Sequence, residues 1–244
     1  MQYETHRRSI LKAISWRTWA TITTAVIVFF FTGKVALALT VGFLEVFAKM
    51  GLYFFHERLW QKIRYGKREV PAFVLWFTGL PASGKKAIAD RVYEELKCLH
   101  LKVYRLDGLD VRPLCTETVF SPDEVNRHIK RAGHLCAMLE KNGIIVVASF
   151  VSPFLKSRDF ARSQAQCFVE VYLKTTVEQC EKRDEKGHYR KARAGEYDYF
   201  HGVHLDYEIS KNPEIVVDVD SVSQDEAVSQ IISYIRKQII QSKI

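Results

Sequence analysis

A run of seven residues, about a third of the way along the chain, has the types and spacing that bind phosphate. It reads, in order, Gly79, Leu80, Pro81, Ala82, Ser83, Gly84 and Lys85. In this G-x-x-x-x-G-K pattern, backbone N–H groups face the phosphates and the lysine ammonium reaches the outer ones. The next position normally carries a Ser or Thr hydroxyl for Mg²⁺, but here it is Lys86. The run predicts an ATP-binding site, in which Lys86 either neutralises phosphate charge or points to solvent.

The phosphate loop is predicted to join a buried strand to a helix. The candidate strands are Phe73–Phe77, Val103–Leu106, Ile144–Ser149, Phe168–Leu173 and Ile215–Val219. Their continuous apolar character is typical of a parallel sheet that helices cover on both faces. Three S/T-x-x-E pairs predict helix starts, namely Ser121 with Glu124, Thr175 with Glu178 and Ser223 with Glu226. The alternation predicts one doubly wound α/β domain of about five parallel strands over residues 69–244.

The net charge of +8 is confined to the first quarter of the chain. Residues 1–68 contain 11 Lys and Arg against three Asp and Glu, whereas residues 69–244 contain 25 of each kind. A neutral domain lacks the basic surface that nucleic-acid binding requires, so no nucleic-acid partner is predicted. The five cysteines include no C-x-x-C pair, which favours reduced thiols in the cytoplasm over disulfides or a zinc site.

Two apolar runs precede the α/β domain. Thr18–Gly33 has no charged residue, and Val35–Phe55 has only Glu45 and Lys49, which are four apart and share one helical face. A membrane span needs about 20 apolar residues. Basic residues flank the pair of runs on both outer sides, which places both ends in the cytoplasm. Residues 1–68 are therefore predicted to form a two-helix transmembrane hairpin with residues 16–55 in the lipid bilayer and 64–71 as a linker.

Further motifs follow the phosphate loop in an informative order. They are Asp107-Gly108, Phe120-Ser121-Pro122, Ser152-Pro153, the stretch from Lys186 through Tyr189 and Lys191 to Glu196, and Phe200-His201-Gly202. Together with the loop they resemble the adenylyl-sulfate kinases over residues 70–240, at nearly the spacing of that family. The segment from about Arg8 to Arg68 resembles a family of small bacterial membrane proteins of unknown function.

The resemblance implies a P-loop kinase that uses ATP and Mg²⁺ to phosphorylate the 3′-hydroxyl of adenylyl-sulfate in sulfate assimilation. It implies catalytic parts for Lys85, Asp107 and Ser152, and a metal contact for Asp107. The substrate-binding residues that it implies are Arg112, Phe120, Ser152, Lys191 and Phe200. A homodimer, frequent in the family, is implied as well. Together with the hairpin, the resemblance places the kinase domain on the cytoplasmic side of a bacterial inner membrane.

The sequence departs from the family pattern at the metal and acceptor positions. Lys86 replaces the hydroxyl residue, and Leu109 replaces a second aspartate unless Asp110 substitutes for it. Val125 and His128 align with an arginine and an asparagine that contact the substrate. Two alternatives therefore stay open, namely a nucleotide-sensing module without turnover and a kinase of the same fold for a different alcohol.

Overall fold

The computed structural model describes residues 2–4, 10–12, 14–16, 18–20, 23, 35–63, 67–114 and 121–240. Phe120 and most of the apolar run Thr18–Gly33 lie outside the described residues. Contacts between Cα atoms divide the chain into two compact units, Gln2–Glu69 and Val70–Ile244. The boundary between the units falls after Glu69.

The N-terminal unit contains a short β-ribbon and one long helix. Strand β1 (Gln2–Glu4) pairs antiparallel with β2 (Lys67–Glu69), and helix α1 spans Val35–Lys62. Part of the segment 64–71, predicted as a linker, is thus a strand. The sequence did not predict this strand because its three residues are all charged and show no apolar alternation. Within the part of the chain that the structure describes, no helix combines the length and apolarity of a membrane span.

The described residues among 10–23 are helical and run antiparallel to α1. Lys12 Nζ lies 3.3 Å from Glu57 Oε2, and the ring centroids of Trp16 and Tyr53 are 5.1 Å apart. Lys12 contacts Glu57, and the later residue Trp16 contacts the earlier residue Tyr53. The two helical segments therefore run in opposite directions and form a helical hairpin. A hydrogen-bonded cluster beside these contacts consists of Ser15, His56 and Trp60.

The C-terminal unit is built on a five-stranded parallel sheet. Its strands are β3 (Val74–Thr78), β4 (Val103–Asp107), β5 (Ile145–Ser149), β6 (Phe168–Lys174) and β7 (Ile215–Asp218). They lie in the order β4-β5-β3-β6-β7, and every neighbouring pair is parallel. The predicted α/β fold is confirmed, and each predicted strand agrees with the observed one to within one residue at both ends.

Helices connect the strands. They are α2 (Lys85–Cys98), α3 (Gly108–Val111), α4 (Pro122–Lys141), α5 (Leu155–Gln164), α6 (Val177–Lys182), α7 (His188–Arg193) and α8 (Gln224–Tyr234), which continues as a π-helix over Ile235–Ile240. Ser121 and Ser223 cap α4 and α8 as predicted. The predicted cap of α6 at Thr175 is wrong by one residue. Thr176 accepts from the Gln179 N–H, while Thr175 Oγ1 donates to Asp220.

The core places the carboxyl ends of the central strands at one edge of the sheet. All five residues of β3 are buried, and Trp76 stacks on Phe150 with centroids 4.9 Å apart. Helices α4 and α5 approach so closely that a Cβ on Gly133 would lie 2.9 Å from Ala161 Cβ. This packing fixes the ends of β3, β4 and β5, where the predicted site residues follow.

Candidate active site

The phosphate loop turns from β3 into α2 at the carboxyl edge of the sheet. Gly79 has φ +154°, and a Cβ there would lie 2.9 Å from the Leu173 carbonyl oxygen of β6. Gly84 has φ +83° and precedes α2, whose first turn has no side-chain cap and no acidic residue. Glycine is required at both points, by close approach and by a left-handed backbone. The first N–H groups of the 14-residue α2 therefore have no side-chain cap, and the start of such a helix is suited to bind a phosphate.

Lys85 lies inside this loop and is 8% exposed. Its Nζ donates to the carbonyl oxygens of Gly79 at 3.0 Å and Leu80 at 2.6 Å, and to Ser83 Oγ at 3.2 Å. Burial disfavours the charged ammonium and lowers the pKa of Lys85 to about 8. The loop therefore holds a cation that is easily deprotonated, at the place where the outer phosphates of a nucleotide would lie.

Asp107 ends β4 and caps the short helix α3. Its Oδ1 accepts from the backbone N–H groups of Leu109 at 2.9 Å and Asp110 at 3.3 Å. Its Oδ2 lies 3.2 Å from Lys86 Nζ and 3.5 Å from Arg105 Nη2. Burial alone would raise the pKa of Asp107, but the Leu109 N–H and the Lys86 ammonium outweigh it and hold that pKa below its usual value. The carboxylate is therefore ionised and a weak base.

The residues around Asp107 do not fit a divalent cation. Both Asp107 oxygens accept from N–H groups or cations, and Lys86 supplies an ammonium where a hydroxyl ligand would stand. Asp110 Oδ2, the carboxylate that might have substituted in the ligand set, accepts from the Asp107 N–H at 2.8 Å. Over the described ranges, no group of three or more His, Cys, Asp or Glu side chains is placed to hold a metal ion.

A cleft of about 780 Å³ opens beside the loop and collects several of the predicted residues. Those that line it are Lys85, Arg112, Ser152 and Phe200, together with Pro81, Leu109, Val125 and His128. Lys191 is exposed on α7 and does not line the cleft, and Phe120 lies outside the described residues. The predicted residues Lys86 and Asp107 are not among the lining residues either. The structure therefore gathers the phosphate loop, the start of α3 and the aromatic Phe200 around one space.

Ser152 contributes to the cleft wall but has no exposed surface. Its Oγ accepts from Trp76 Nε1 at 3.1 Å and lies 2.7 Å from Thr78 Oγ1. Its backbone has φ +38°, which an L side chain rarely adopts. The hydroxyl therefore fastens the loop after β5 to β3, and it is enclosed on the protein side of the wall.

The sequence did not single out Arg158, which fixes that same wall. Arg158 is 1% exposed and donates to the carbonyl oxygens of Ser152 and Glu208. Its Nε lies 3.4 Å from Glu170 Oε1. The sequence did contain an indication of a buried cation. Glu170 interrupts the apolar strand β6, and a buried carboxylate there needs a positively charged partner.

Tyr189 holds the basic segment of α7 against the phosphate loop. Its Oη donates to the Pro81 carbonyl oxygen at 3.1 Å, and its ring packs edge-on against Phe200 with centroids 4.9 Å apart. The sequence placed Tyr189 within the most specific motif without assigning it a contact. Its position explains why a tyrosine belongs there, since a phenylalanine would lose the hydrogen bond to the Pro81 carbonyl oxygen.

The acceptor side of the cleft is formed by the beginning of α4 and by Leu109. Leu109 is 61% exposed and lines the cleft, as do Val125 and His128. Burial and then the charges of Arg112 and Arg131 lower the pKa of His128, so its imidazole is neutral at pH 7. Glu124, in the first turn of α4, lines the cleft as well. This wall therefore presents apolar side chains, one neutral imidazole and one carboxylate.

A parallel α/β sheet with a G-x-x-x-x-G-K loop and a cleft at its carboxyl edge defines a P-loop nucleotide-binding domain. Comparison with known proteins gives the family. Residues 71–218 match the family described as adenylylsulphate kinase, and residues 10–61 match one described as predicted membrane protein (DUF2061). Both resemblances found in the sequence are confirmed.

Individual proteins similar to this chain support the match to the adenylylsulphate kinase family. The chain is 44% identical over 171 residues to the adenylyl-sulfate kinase of Thermodesulfovibrio yellowstonii, a match that covers 69% of this chain and 86% of that protein. It is 37% identical over 180 residues to that of Staphylococcus epidermidis, with 72% and 90% covered. The structure of the Mycobacterium tuberculosis APS kinase CysC in complex with AMPPNP and APS superposes with a TM-score of 0.65 at 32% identity, over 68% of this chain and 99% of that one. The chain belongs to the adenylyl-sulfate kinase family.

Proposed function

We propose that the C-terminal unit transfers the γ-phosphoryl group of ATP to the 3′-hydroxyl of adenylyl-sulfate. The bond from the 3′-oxygen to the γ-phosphorus forms, the bond to the β-phosphate oxygen breaks, and the hydroxyl proton is released. The products are 3′-phosphoadenylyl-sulfate and ADP. The observation that carries the proposal is the single cleft that joins Lys85 of the phosphate loop to Arg112 and Phe200, in a chain of this family.

Phosphoryl transfer depends on positioning and charge neutralisation more than on covalent chemistry. Lys85 would leave its contacts with the loop carbonyls and donate to the β- and γ-phosphate oxygens. Arg112 would bind the phosphosulfate through its planar guanidinium, and Phe200 would stack on an adenine. Lys191 would have to move toward the phosphates as the basic segment closes, because its side chain is exposed outside the cleft. Phe120, also proposed to stack on adenine, lies outside the described residues.

Asp107 would orient the acceptor hydroxyl. Its lowered pKa makes the carboxylate a weak general base, so its contribution is to hold the hydroxyl in line with the γ-phosphorus. In a loose transition state the proton departs late, and a strong base is not needed.

Ser152 would act by position and not as a phosphoryl carrier. Its buried Oγ is bonded to Trp76 and Thr78 and faces away from solvent. Direct transfer between the two nucleotides needs no covalent intermediate. Ser152 is thus a positioning residue of the cleft wall.

Magnesium, which the resemblance implies, would supply further positive charge on the phosphates when bound. The residues present do not fit it, because Asp107 is engaged by Lys86 and Arg105. The proposed steps therefore run through Lys85, Asp107 and Arg112.

We also propose that residues 1–68 form a membrane hairpin and residues 69–244 the kinase domain, held at the cytoplasmic face. The match of residues 10–61 to a predicted membrane protein family supports this, as do the apolar runs and basic flanks. Contact with the bilayer through residues 16–55, an inner-membrane location and a homodimer remain predictions of the same proposal.

The pH dependence of nucleotide binding is a direct consequence of the buried ammonium. Lys85 has a pKa of about 8 without ligand, and bound phosphates would raise it. Above pH 8 the amine of Lys85 is mostly neutral without ligand, and it must take up a proton when the phosphates bind. The affinity for ADP is therefore expected to fall from neutral to alkaline pH. Titration calorimetry in buffers of different ionisation enthalpy measures the proton uptake. In Lys85→Arg, which stays protonated, the proton uptake should vanish; its persistence would assign it to another group.

The activity is tested on washed membranes from cells that express the full chain. Incubation with ATP and adenylyl-sulfate, with and without added Mg²⁺, is expected to give 3′-phosphoadenylyl-sulfate in the membrane fraction. Lys97→Gln, which changes an exposed lysine at the far end of α2, is the matched control and should keep full activity. ADP binding without product would instead indicate a nucleotide sensor, and ATP consumption only with another alcohol would indicate a different acceptor. Activity in the soluble fraction alone would contradict the membrane proposal.

A further inference from the structure

Lys86 puts a positive charge where phosphate loops of this pattern have a metal-binding hydroxyl. It lies in the first turn of α2, directly after the buried Lys85. Its Nζ is 3.2 Å from Asp107 Oδ2, and the Lys86 side chain is 58% exposed while that of Asp107 is 9% exposed. The ammonium thus bridges from the helix start to the end of β4, next in sequence to Lys85, which lines the cleft.

The ammonium retains hydrogen-bonding capacity. A lysine ammonium has three N–H donors. Among the described residues, Asp107 is the hydrogen-bond partner of Lys86 Nζ, so two donors remain for oxygens of a ligand. The contact with Asp107 also fixes the direction of a side chain that would otherwise sample many rotamers, which lowers the entropy lost on binding phosphate.

The same contact removes Asp107 from metal binding. Its Oδ2 faces the cations of Lys86 and Arg105, and its Oδ1 accepts from two backbone N–H groups. A divalent ion at Oδ2 would have to displace the ammonium and then lie beside it, and like charges at hydrogen-bonding distance repel. The positions of Lys86 and of a protein-bound metal are mutually exclusive.

We propose that Lys86 is a built-in cation that replaces the protein-bound divalent ion of the phosphate loop, so that this chain binds ADP and ATP without Mg²⁺. The inference rests on the nucleotide site of the proposed function but not on the identity of the acceptor. Lys85 and Lys86 together supply two positive charges to the β- and γ-phosphates, with the N-terminus of α2 as a third favourable element. Its single charge makes Lys86 weaker than Mg²⁺ in principle, but it is already positioned before the ligand arrives.

The experiment is titration calorimetry of the full chain in detergent with ADP and with AMPPNP, each in EDTA and in excess Mg²⁺. For the wild type, Kd is expected to differ by less than about threefold between the two buffers. In Lys86→Ser, which restores the hydroxyl, EDTA is expected to weaken binding by about tenfold or more. Lys86→Gln, which has neither charge nor hydroxyl, should weaken binding about 10- to 100-fold in both buffers, because a charge-assisted hydrogen bond is lost.

Two further variants separate a specific role from a structural one. Lys86→Arg keeps the charge and is expected to keep metal-independent binding, whereas Lys97→Gln on the same helix should change nothing. If Lys86 had a merely structural role, Lys86→Ser would lose the same affinity in EDTA as in Mg²⁺, and that result would overturn the proposal. A wild-type chain that loses tenfold affinity in EDTA while it still makes product would overturn this inference alone. Absent ADP binding in every buffer would overturn both this inference and the proposed function.

Discussion

Replacement of Lys85 by methionine is expected to lower kcat/KM for phosphoryl transfer by about 10³-fold, the cost of removing one positioned cation or donor from a charged transition state. Methionine has nearly the same length but no charge, so the phosphates would lose a partner while the loop keeps its volume. The measurement is the initial rate of 3′-phosphoadenylyl-sulfate formation by membranes that contain the variant, normalised to the amount of chain present.

The stability of this variant distinguishes loss of chemistry from loss of fold. The ammonium of Lys85 is buried and its pKa is lowered to about 8, so the folded state disfavours the charge. An apolar side chain of similar volume removes that penalty, while it leaves the carbonyl oxygens of Gly79 and Leu80 without this donor. These effects oppose each other, and the free energy of unfolding is expected to change by no more than about 1 kcal/mol. A large loss of stability would mean that Lys85 is chiefly a structural residue, and wild-type activity would remove the loop from the proposed mechanism.

The sheet could be predicted from sequence because its strands are buried on both faces. All five residues of β3 are buried and four of them are apolar, so the strand stands out in the sequence as a short continuous apolar run, with a length typical of a buried strand and too short for a helix. Prediction from the sequence fails where two neighbouring residues could both cap the same helix. Thr175 and Thr176 are both able to cap α6, and only the contact of Thr175 with Asp220 decides which one does.

In the site, too, the features set by local sequence could be predicted, and the contacts between distant segments could not. Residues Gly79–Lys85 act through local backbone geometry, so their spacing alone predicts the loop. The contact of Lys86 with Asp107 joins residues 21 apart in sequence. Lys86 lies on the helix that follows β3 and Asp107 ends β4, and β5 separates these two strands in the sheet, so the contact depends on the assembled fold. The enclosure of Ser152 depends on Trp76, 76 residues away. A motif identifies the residue types at a site, but not which of their atoms another chain segment has already engaged.

Replacement of Arg158 by methionine is expected to lower the free energy of unfolding of the C-terminal unit by about 3 kcal/mol, as removal of one partner of a buried ion pair does. Arg158 is 1% exposed, donates to the carbonyl oxygens of Ser152 and Glu208, and lies against Glu170. Methionine fills the volume but satisfies none of these oxygens. Glu170 keeps its contact with Arg162 at 3.1 Å, which places the loss at the lower end of the usual range. The urea midpoint from pulse proteolysis of the full chain measures it.

The matched control is Arg183→Met, which removes an arginine with one carboxylate and one carbonyl partner from a site that is 38% exposed. Solvent replaces both contacts there, so the loss should stay below about 1 kcal/mol. The two variants also differ in their expected effect on the cleft. Without Arg158, the loop that holds Ser152 at φ +38° loses a fixed carbonyl contact and can relax, so KM for adenylyl-sulfate should rise in Arg158→Met and not in Arg183→Met. Equal stability of the two variants would contradict the assignment of Arg158 as the buried cation that holds the cleft wall, since burial is what separates them.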